Sequence, residues 1–136
     1  MLRIRYNAFF LVGVTLLICA AWHPKRSSPA VDRHDPEAVL RAYFAAWARN
    51  DTDARISFMA ASYGNLADEP VDSLRILSLA PADGGSSTRK VYSVSFDITF
   101  TGGRSVSMEN GRYYWTYTLT WDAARESWLI TNYGAG

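Results

Sequence analysis

Residues 111–133 read GRYYWTYTLTWDAARESWLITNY, and this stretch decides the fold. Large apolar side chains occupy every second position of its first half, at Tyr113, Trp115, Tyr117, Leu119 and Trp121. A period of two, built from aromatic and β-branched residues, predicts a β-strand. Residues 122–127 interrupt the pattern and residues 128–133 resume it, so the stretch predicts a β-hairpin. One face of this hairpin is a row of large rings that another element must cover.

The N-terminal half of the chain predicts helices that provide this cover. Residues 35–37, Asp-Pro-Glu, form a helix start, because they combine an N-cap acceptor, proline in the first turn and an acid near the positive end of the helix dipole. An apolar stripe follows at helical spacing: Val39, Leu40, Tyr43, Phe44 and Trp47. The helix ends near Asn50. Asp51 or Thr52 caps a second, shorter helix, whose apolar members are Ile56, Phe58 and Met59.

Strand patterns follow these helices. Residues 73–79 and 90–101 predict two more strands, and a short turn of helix is predicted near residues 65–68. The order predicts an α+β fold in which N-terminal helices pack into a curved, mostly antiparallel sheet of four or slightly more strands. The sheet then forms a cone around the first helix. Four large rings are expected to meet inside it: Trp47, Phe96, Trp115 and Trp128.

The charge distribution separates the two ends of the chain. Residues 1–34 carry five basic side chains and one acid, whereas residues 35–136 carry nine basic and twelve acidic side chains. A mildly acidic domain lacks the clustered basic face that nucleic-acid binding requires, so no nucleic-acid partner is expected. The single cysteine, Cys19, excludes an intrachain disulfide.

The N-terminal segment, residues 1–22, is predicted to be a targeting signal or a membrane anchor. Arg3 and Arg5 precede an apolar run from residue 8 to residue 22, which is short for a membrane span and suits a signal peptide. Three interpretations stay open: a cleaved secretory signal, a lipoprotein signal with Cys19 as the lipidated residue, and an uncleaved membrane anchor. Residues 23–34 are interpreted as a tether and residues 35–136 as the domain. All three interpretations place the domain outside the cytoplasm, either attached to the cell membrane through the N-terminal segment or secreted.

Two stretches carry a resemblance to a known family. Residues 35–51, DPEAVLRAYFAAWARND, resemble the opening helix of the nuclear transport factor 2 (NTF2)-like superfamily, also called the cystatin-like α+β cone. The YTLTW and SWLITNYG segments of the hairpin resemble its closing strands. The resemblance covers about residues 35–134. More narrowly, the chain is similar to small secreted or lipoprotein NTF2-like domains of bacteria. It implies the cone fold, and in the enzymes of the superfamily an acid–base pair that projects into the cone.

The residues themselves predict no catalytic group. The interior positions that the pattern assigns carry no carboxylate, imidazole or amine. Asp97 shares the serine and threonine face of its strand by parity, and Asp68, Glu69 and Asp72 fall in the loop before the first predicted strand. A catalytic carboxylate needs an apolar pocket to shift its pKa usefully. We therefore expect that the chain is not an enzyme.

The expected function is a binding module that uses neither a cofactor nor a metal. Five aromatic residues are candidates to line a pocket for an apolar small ligand: Tyr43, Trp47, Phe96, Trp115 and Tyr117. A protein partner is the other expected ligand, and the serine- and threonine-rich sheet face is a candidate homodimer interface. Two alternatives stay open: a small-molecule isomerase or cyclase of the ketosteroid isomerase type, and a subunit of a membrane assembly.

Overall fold

The computed structural model describes residues 29–60 and 69–136. These residues form helices α1 (Pro36–Ala48) and α2 (Thr52–Ser57), followed by strands β1 (Val71–Pro81), β2 (Arg89–Phe100), β3 (Gly111–Asp122) and β4 (Ser127–Ala135). Neither described helix combines the length and the apolar character that a membrane crossing needs. The predicted signal or anchor with Cys19, and the predicted helical turn near residues 65–68, lie outside the described residues and stay predictions.

The strands form one antiparallel sheet in the order β1-β2-β3-β4, which is curved and does not close into a barrel. The β3–β4 pairing sets Trp121 opposite Trp128, as expected for the predicted hairpin. Register shifts interrupt β1 at two points and the β3–β4 ladder between Thr118 and Leu119. Such irregularities bend strands and increase their twist. The predicted α+β cone is therefore confirmed, with four strands in the described sheet.

Helix α1 lies against the inner face of this sheet. Asp35 caps it, since its carboxylate accepts bonds from the backbone N–H groups of Glu37 and Ala38 at 2.9 and 3.3 Å. All five residues of the predicted apolar stripe are buried. At the other end, the Asn50 side chain bonds both the backbone N–H and the carbonyl of Val71, at 2.7 and 3.0 Å. The end of α1 is thereby fixed to the start of β1.

Side-chain alternation on β2 matches the prediction. Every second residue of this strand is buried against the helix: Tyr92, Val94, Phe96, Ile98 and Phe100. On β3, Tyr117 and Leu119 are fully buried, whereas Trp115 is only half-buried. Phe96 contacts Trp47 and Trp115 with ring centres 5.9 and 5.5 Å apart.

The expected meeting of four rings is correct for three of them. Trp128 packs instead against Trp121, with ring centres 5.8 Å apart, and its indole N–H donates to the His34 carbonyl at 3.1 Å. His34 directly precedes the α1 cap, whereas Trp47 lies at the opposite end of α1. Trp128 is therefore separated from the other three rings by the length of the helix.

Part of the predicted tether contacts the domain. Val31 packs against the core, and the guanidinium of Arg33 lies 4.4 Å from the centre of the Phe58 ring. The Arg33 carbonyl also accepts a bond from the backbone N–H of Trp128 at 3.0 Å. These contacts attach residues 31–34 to the end of the cone near Trp128. The boundary between tether and domain stays a prediction, because residues 23–28 lie outside the described residues.

Candidate functional site

A buried arginine lies beside the C-terminal end of α1. Asp51 caps α2 by accepting a bond from the Ala54 N–H, and this short helix buries Arg55, which is only 7% exposed. The Arg55 guanidinium carbon lies 3.9 Å from the centre of the Trp47 ring, and its Nη2 donates to the Tyr43 hydroxyl at 2.9 Å. Of the three apolar members that the sequence predicted for this helix, Phe58 and Met59 are buried, whereas Ile56 is only half-buried.

The charge of Arg55 has no anionic partner among residues 29–60 and 69–136. Its Nε–H is buried and finds no acceptor in the same ranges. A guanidinium stays protonated in proteins, so burial cannot neutralise it. The stacking of Arg55 on Trp47 and its hydrogen bond to the Tyr43 hydroxyl offset only part of the cost of desolvating the guanidinium. The interior therefore holds a cation with unused hydrogen-bond donors.

Burial also acts on the tyrosine that accepts from Arg55. It raises the pKa of the Tyr43 phenol, and the neighbouring guanidinium lowers it again in part. Tyr43 is therefore neutral near pH 7, and it holds Arg55 as a hydrogen-bond acceptor without adding negative charge. The pair can therefore present the positive charge of Arg55 to a bound oxygen atom.

Arg55 lines a cavity of about 100 Å³ at this end of the cone. Aromatic and sulfur-containing side chains form most of its wall, and two serines stand at its edge; the lining residues are Trp47, Arg55, Glu69, Phe100, Ser105, Ser107, Met108, Trp115 and Tyr133. A wider groove of about 840 Å³ follows along the loop between β2 and β3. The cavity and the groove share Glu69, Ser105, Ser107 and Met108, so they adjoin.

Glu69 is the carboxylate of this cavity. Its Oε1 accepts a bond from the backbone N–H of Val106 at 2.7 Å, which ties the segment before β1 to the loop before β3. The side chain is half-buried, and Oε2 accepts no bond from the residues that the structure describes. One oxygen is thus held in place while the other stays available to a bound molecule.

The structure separates the five predicted pocket residues into two groups. Trp47 and Trp115 line the cavity. Tyr43, Phe96 and Tyr117 are fully buried and belong to the core behind it. Asp68, a second loop acid considered for catalysis, and Cys19 lie outside the described residues. Asp72, the third, lies in β1 and accepts a bond from the Thr101 hydroxyl at 2.9 Å.

Sequence reasoning missed Arg55. A six-residue helix has fewer than two turns, so no period marks its buried face, and arginine is ordinarily a surface residue. The signal that was present is its spacing: Arg55 lies four residues after the helix cap Asp51, close behind the stripe that ends at Trp47. Among the described ranges, no three histidine, cysteine or acidic side chains lie close enough together to hold a metal.

The Tyr117 hydroxyl provides a stability test of the interior. Burial raises the pKa of Tyr117 well above its ordinary value, and the hydroxyl finds no partner among the described residues. We expect Tyr117→Phe to leave the free energy of unfolding unchanged or to raise it by about 1 kcal/mol, because it removes an unpaired buried polar group. Tyr43→Phe is the matched change, and it should cost about 1.5–3 kcal/mol because it leaves an Arg55 donor unpaired. Urea unfolding measures both, and a loss above about 1 kcal/mol for Tyr117→Phe would contradict the assignment.

Asp97 lies on the outer sheet face, as parity predicted. Arg112 donates to its two carboxylate oxygens at 2.9 and 3.3 Å, and Arg75 lies 3.6 Å away. The hydrogen bond from Arg112 is the main cause that lowers the pKa of Asp97. An exposed, ion-paired carboxylate of lowered pKa does not serve as a proton acceptor for the cavity.

The lowered pKa of Asp97 predicts a pH dependence of stability. The ion pair contributes fully above the unfolded pKa of about 3.9, and its contribution is lost as the pH falls through the lower folded value. We expect Asp97→Asn to lower the thermal midpoint at pH 7 and to make no difference at about pH 2. Asp83→Asn, in the exposed loop after β1, is the control. Thermal unfolding at both pH values measures this, and an equal effect at both would show that the charge pair is not the cause.

The outer sheet face pairs its hydroxyl groups. Ser78 and Ser95 bond through their hydroxyls at 2.6 Å, and those of Thr120 and Thr131 lie 2.9 Å apart. Thr118 is only 8% exposed. These side chains satisfy one another within the sheet, so the expected homodimer through this face stays a prediction.

Comparisons with known proteins give similar solved structures of low sequence identity. No protein-family profile and no curated protein matches the chain. A Δ5-3-ketosteroid isomerase from Mycobacterium sp. matches 71% of this chain over 89% of its own, with 14% identity and a TM-score of 0.46. A protein provisionally assigned as a hydroxylase, from Streptomyces galilaeus, matches 77% over 91%, with 13% identity and a TM-score of 0.47. One provisionally assigned as a polyketide cyclase, from Xanthomonas campestris pv. campestris, matches 74% over 91%, with 14% identity and a TM-score of 0.41.

These findings overturn the expectation that the chain is not an enzyme. Three solved structures that match it carry the names of an isomerase, a hydroxylase and a cyclase. The predicted set of interior positions was also incomplete, because the cavity holds a charged side chain, Arg55, and a carboxylate, Glu69. At 13–14% identity and TM-scores below 0.5, the likeness gives no specific activity.

Proposed function

We propose that this chain, which has the α+β cone of the NTF2-like fold, is an enzyme that moves a proton on a small enolisable carbonyl compound in the Arg55 cavity. The observation that carries the proposal is the joint presence of a buried guanidinium and a carboxylate in one cavity wall. This pairing supplies the two things that enolisation requires: a cation for the oxygen and a base for the carbon.

The cation is placed to stabilise an enolate. When the α-carbon loses its proton, the electrons of the C–H bond move onto the carbonyl oxygen, which becomes negatively charged. Arg55 is held by Tyr43 and Trp47 before any substrate arrives, so it does not need to reorganise during the reaction. A charge fixed in a dry site stabilises a developing oxyanion more than the same charge does in water.

The carboxylate is placed to carry the proton. Glu69 takes it from the α-carbon and returns it to the same carbon or to a conjugated one, which completes an exchange or an isomerisation. The bond from the Val106 N–H fixes the orientation of the carboxylate, and Oε2 is the oxygen left to react. Because this base belongs to the rim and Arg55 to the floor, the substrate enters with its carbonyl oxygen first.

The walls favour a flat, apolar substrate. Trp47, Trp115 and Tyr133 present rings to the cavity, and Trp115 stacks on Tyr133 with ring centres 5.7 Å apart and planes 24° from parallel. Aromatic walls of this kind supply shape and exclude water, while a few polar groups set the orientation. The substrate is therefore expected to be a ketone whose carbon chain contacts these rings, with any larger group extending into the adjoining groove.

The experiment that tests this proposal is α-proton exchange in D₂O. The full chain is incubated with slowly exchanging aryl ketones, such as 4-phenyl-2-butanone and substituted acetophenones, and loss of the α-proton signal is followed by NMR. Exchange that is saturable in ketone and proportional to protein supports the proposal. Exchange at the buffer rate across the whole panel would overturn it.

A further inference from the structure

We propose that the molecule which occupies the Arg55 cavity is a small carboxylic acid, and that its carboxylate pairs with Arg55 in the resting complex. The inference rests on the proposed function, since it names the class of substrate that the same cavity takes. A 2-keto acid combines both requirements, because its carboxylate provides a permanent anion and the oxygen of its adjacent carbonyl can share the donors of the same guanidinium, so Arg55 still stabilises the enolate.

The first argument is charge. Arginine is almost never fully buried in proteins unless an anion accompanies it. Arg55 is 7% exposed, and none of the carboxylates in residues 29–60 and 69–136 forms an ion pair with it. An enolate forms only transiently, so it leaves this desolvated cation unpaired for most of the time. A permanently ionised ligand pairs with the cation as soon as it binds.

The second argument is the set of donors that remain. Only the bond from Nη2 to Tyr43 uses the guanidinium donors of Arg55 among the described residues, and its Nε–H is buried without an acceptor. The face of the group is occupied, because Trp47 lies against it at 3.9 Å. A ligand must therefore approach the edge of the guanidinium, and a planar fork of N–H groups matches the two oxygens of a carboxylate.

The third argument is size. A cavity of about 100 Å³ has room for roughly three water molecules at ~30 Å³ each. That space suits a carboxylate with a short carbon chain and is too small for a ring system as well. The rest of the ligand must extend past Glu69 and Met108 into the groove of about 840 Å³. This division predicts a small charged head inside and the rest of the ligand in the groove, where Val106, Met108 and Tyr113 lie among polar and charged side chains.

The test compares matched acids and amides by isothermal titration calorimetry on the full chain. The probes are 3-phenylpropionate, its neutral amide 3-phenylpropionamide, and 2-phenylethylphosphonate. We expect the carboxylate to bind at least about tenfold more tightly than the amide, as one charge-assisted hydrogen bond gives. Equal affinity of acid and amide, or no binding of either, would overturn the inference. Tighter binding of the phosphonate than of the carboxylate would overturn the assignment to carboxylic acids.

Variants locate the effect at Arg55. Arg55→Met should weaken binding of 3-phenylpropionate by about 10- to 100-fold, and Arg55→Lys should restore part of it, because charge returns without the planar fork. Arg125→Met is the matched control, since Arg125 is exposed beside Asp122 in the turn between β3 and β4 and lines neither the cavity nor the groove, and its effect should stay below about threefold. An Arg125 effect as large as that of Arg55 would contradict the placement of the carboxylate. The comparison of acid with amide in the unchanged protein stays decisive if an Arg55 variant fails to fold.

The two proposals fail in different ways. A preference for the acid over the amide, together with no α-proton exchange on any ketone, would support the carboxylate inference and overturn the proposed reaction. Exchange on neutral ketones without a preference for the acid would support the reaction and overturn the inference. Faster exchange of 2-oxo-4-phenylbutanoate than of its methyl ester would support both.

Discussion

Replacing Glu69 with glutamine is expected to slow α-proton exchange by about 10²–10⁴-fold, the contribution of a well-placed general base. Glutamine keeps the shape of the side chain and an oxygen that accepts the bond from the Val106 N–H. It cannot take a proton from carbon near neutral pH. The loss should therefore appear in turnover, while the thermal midpoint changes little. NMR exchange rates at saturating ketone, measured beside thermal unfolding, separate the two effects.

The control for this change is Glu126→Gln. Glu126 is exposed and lies in the turn between β3 and β4, outside the wall of the cavity. The Glu126→Gln substitution removes one negative charge from the chain, as Glu69→Gln does, and should leave the exchange rate unchanged. If the Glu69→Gln variant exchanged the α-proton at the wild-type rate, another group would be the base and the assignment of Glu69 would be wrong.

Replacing Phe44 with alanine is expected to lower the free energy of unfolding by about 3–5 kcal/mol. Phe44 is 1% exposed and joins α1 to the sheet, with its ring centre 5.2 Å from that of Phe96 and 5.3 Å from that of Tyr117. Its removal leaves a cavity between helix and sheet, which the surrounding rings can fill only in part. A loss of this size is a large share of the stability of a small domain.

Urea unfolding tests the Phe44 prediction against a matched aromatic-to-alanine change. Tyr114 is 67% exposed on the outer sheet face, so Tyr114→Ala should change the free energy of unfolding by no more than about 0.5 kcal/mol. Similar losses for both variants would mean that the helix does not fill the sheet as described.

The sequence predicted most of the fold because its strongest patterns are local. The Asp35 cap and the α1 stripe follow from helical spacing, and the buried face of β2 follows from a period of two. Patterns of this kind do not show where a strand leaves the core. Trp115 belongs to the predicted inner face, yet it is half-buried because it lines the open end of the cone. Trp128 is buried, as predicted, but it lies at the opposite end of α1 from Trp47 and Trp115.

The candidate site was less predictable because it depends on contacts between distant segments. Glu69 was recognised only as one of several loop acids, and its importance comes from a bond to Val106, 37 residues later. Arg55 is a charged residue on a very short helix, and ordinary expectation places it in solvent. Its burial follows from the Tyr43 hydroxyl and the Trp47 ring, which only the packing of α2 against α1 brings to it.

The central claim is that Arg55 is the electrostatic centre of a catalytic cavity. The most direct test is the rate of α-proton exchange by Arg55→Met, measured on a ketone that the wild-type chain exchanges. The account predicts a rate about 10²–10³-fold below that of the wild type, the loss that follows removal of one oxyanion donor. A variant that folds as the wild type does and exchanges the ketone at the wild-type rate would contradict it.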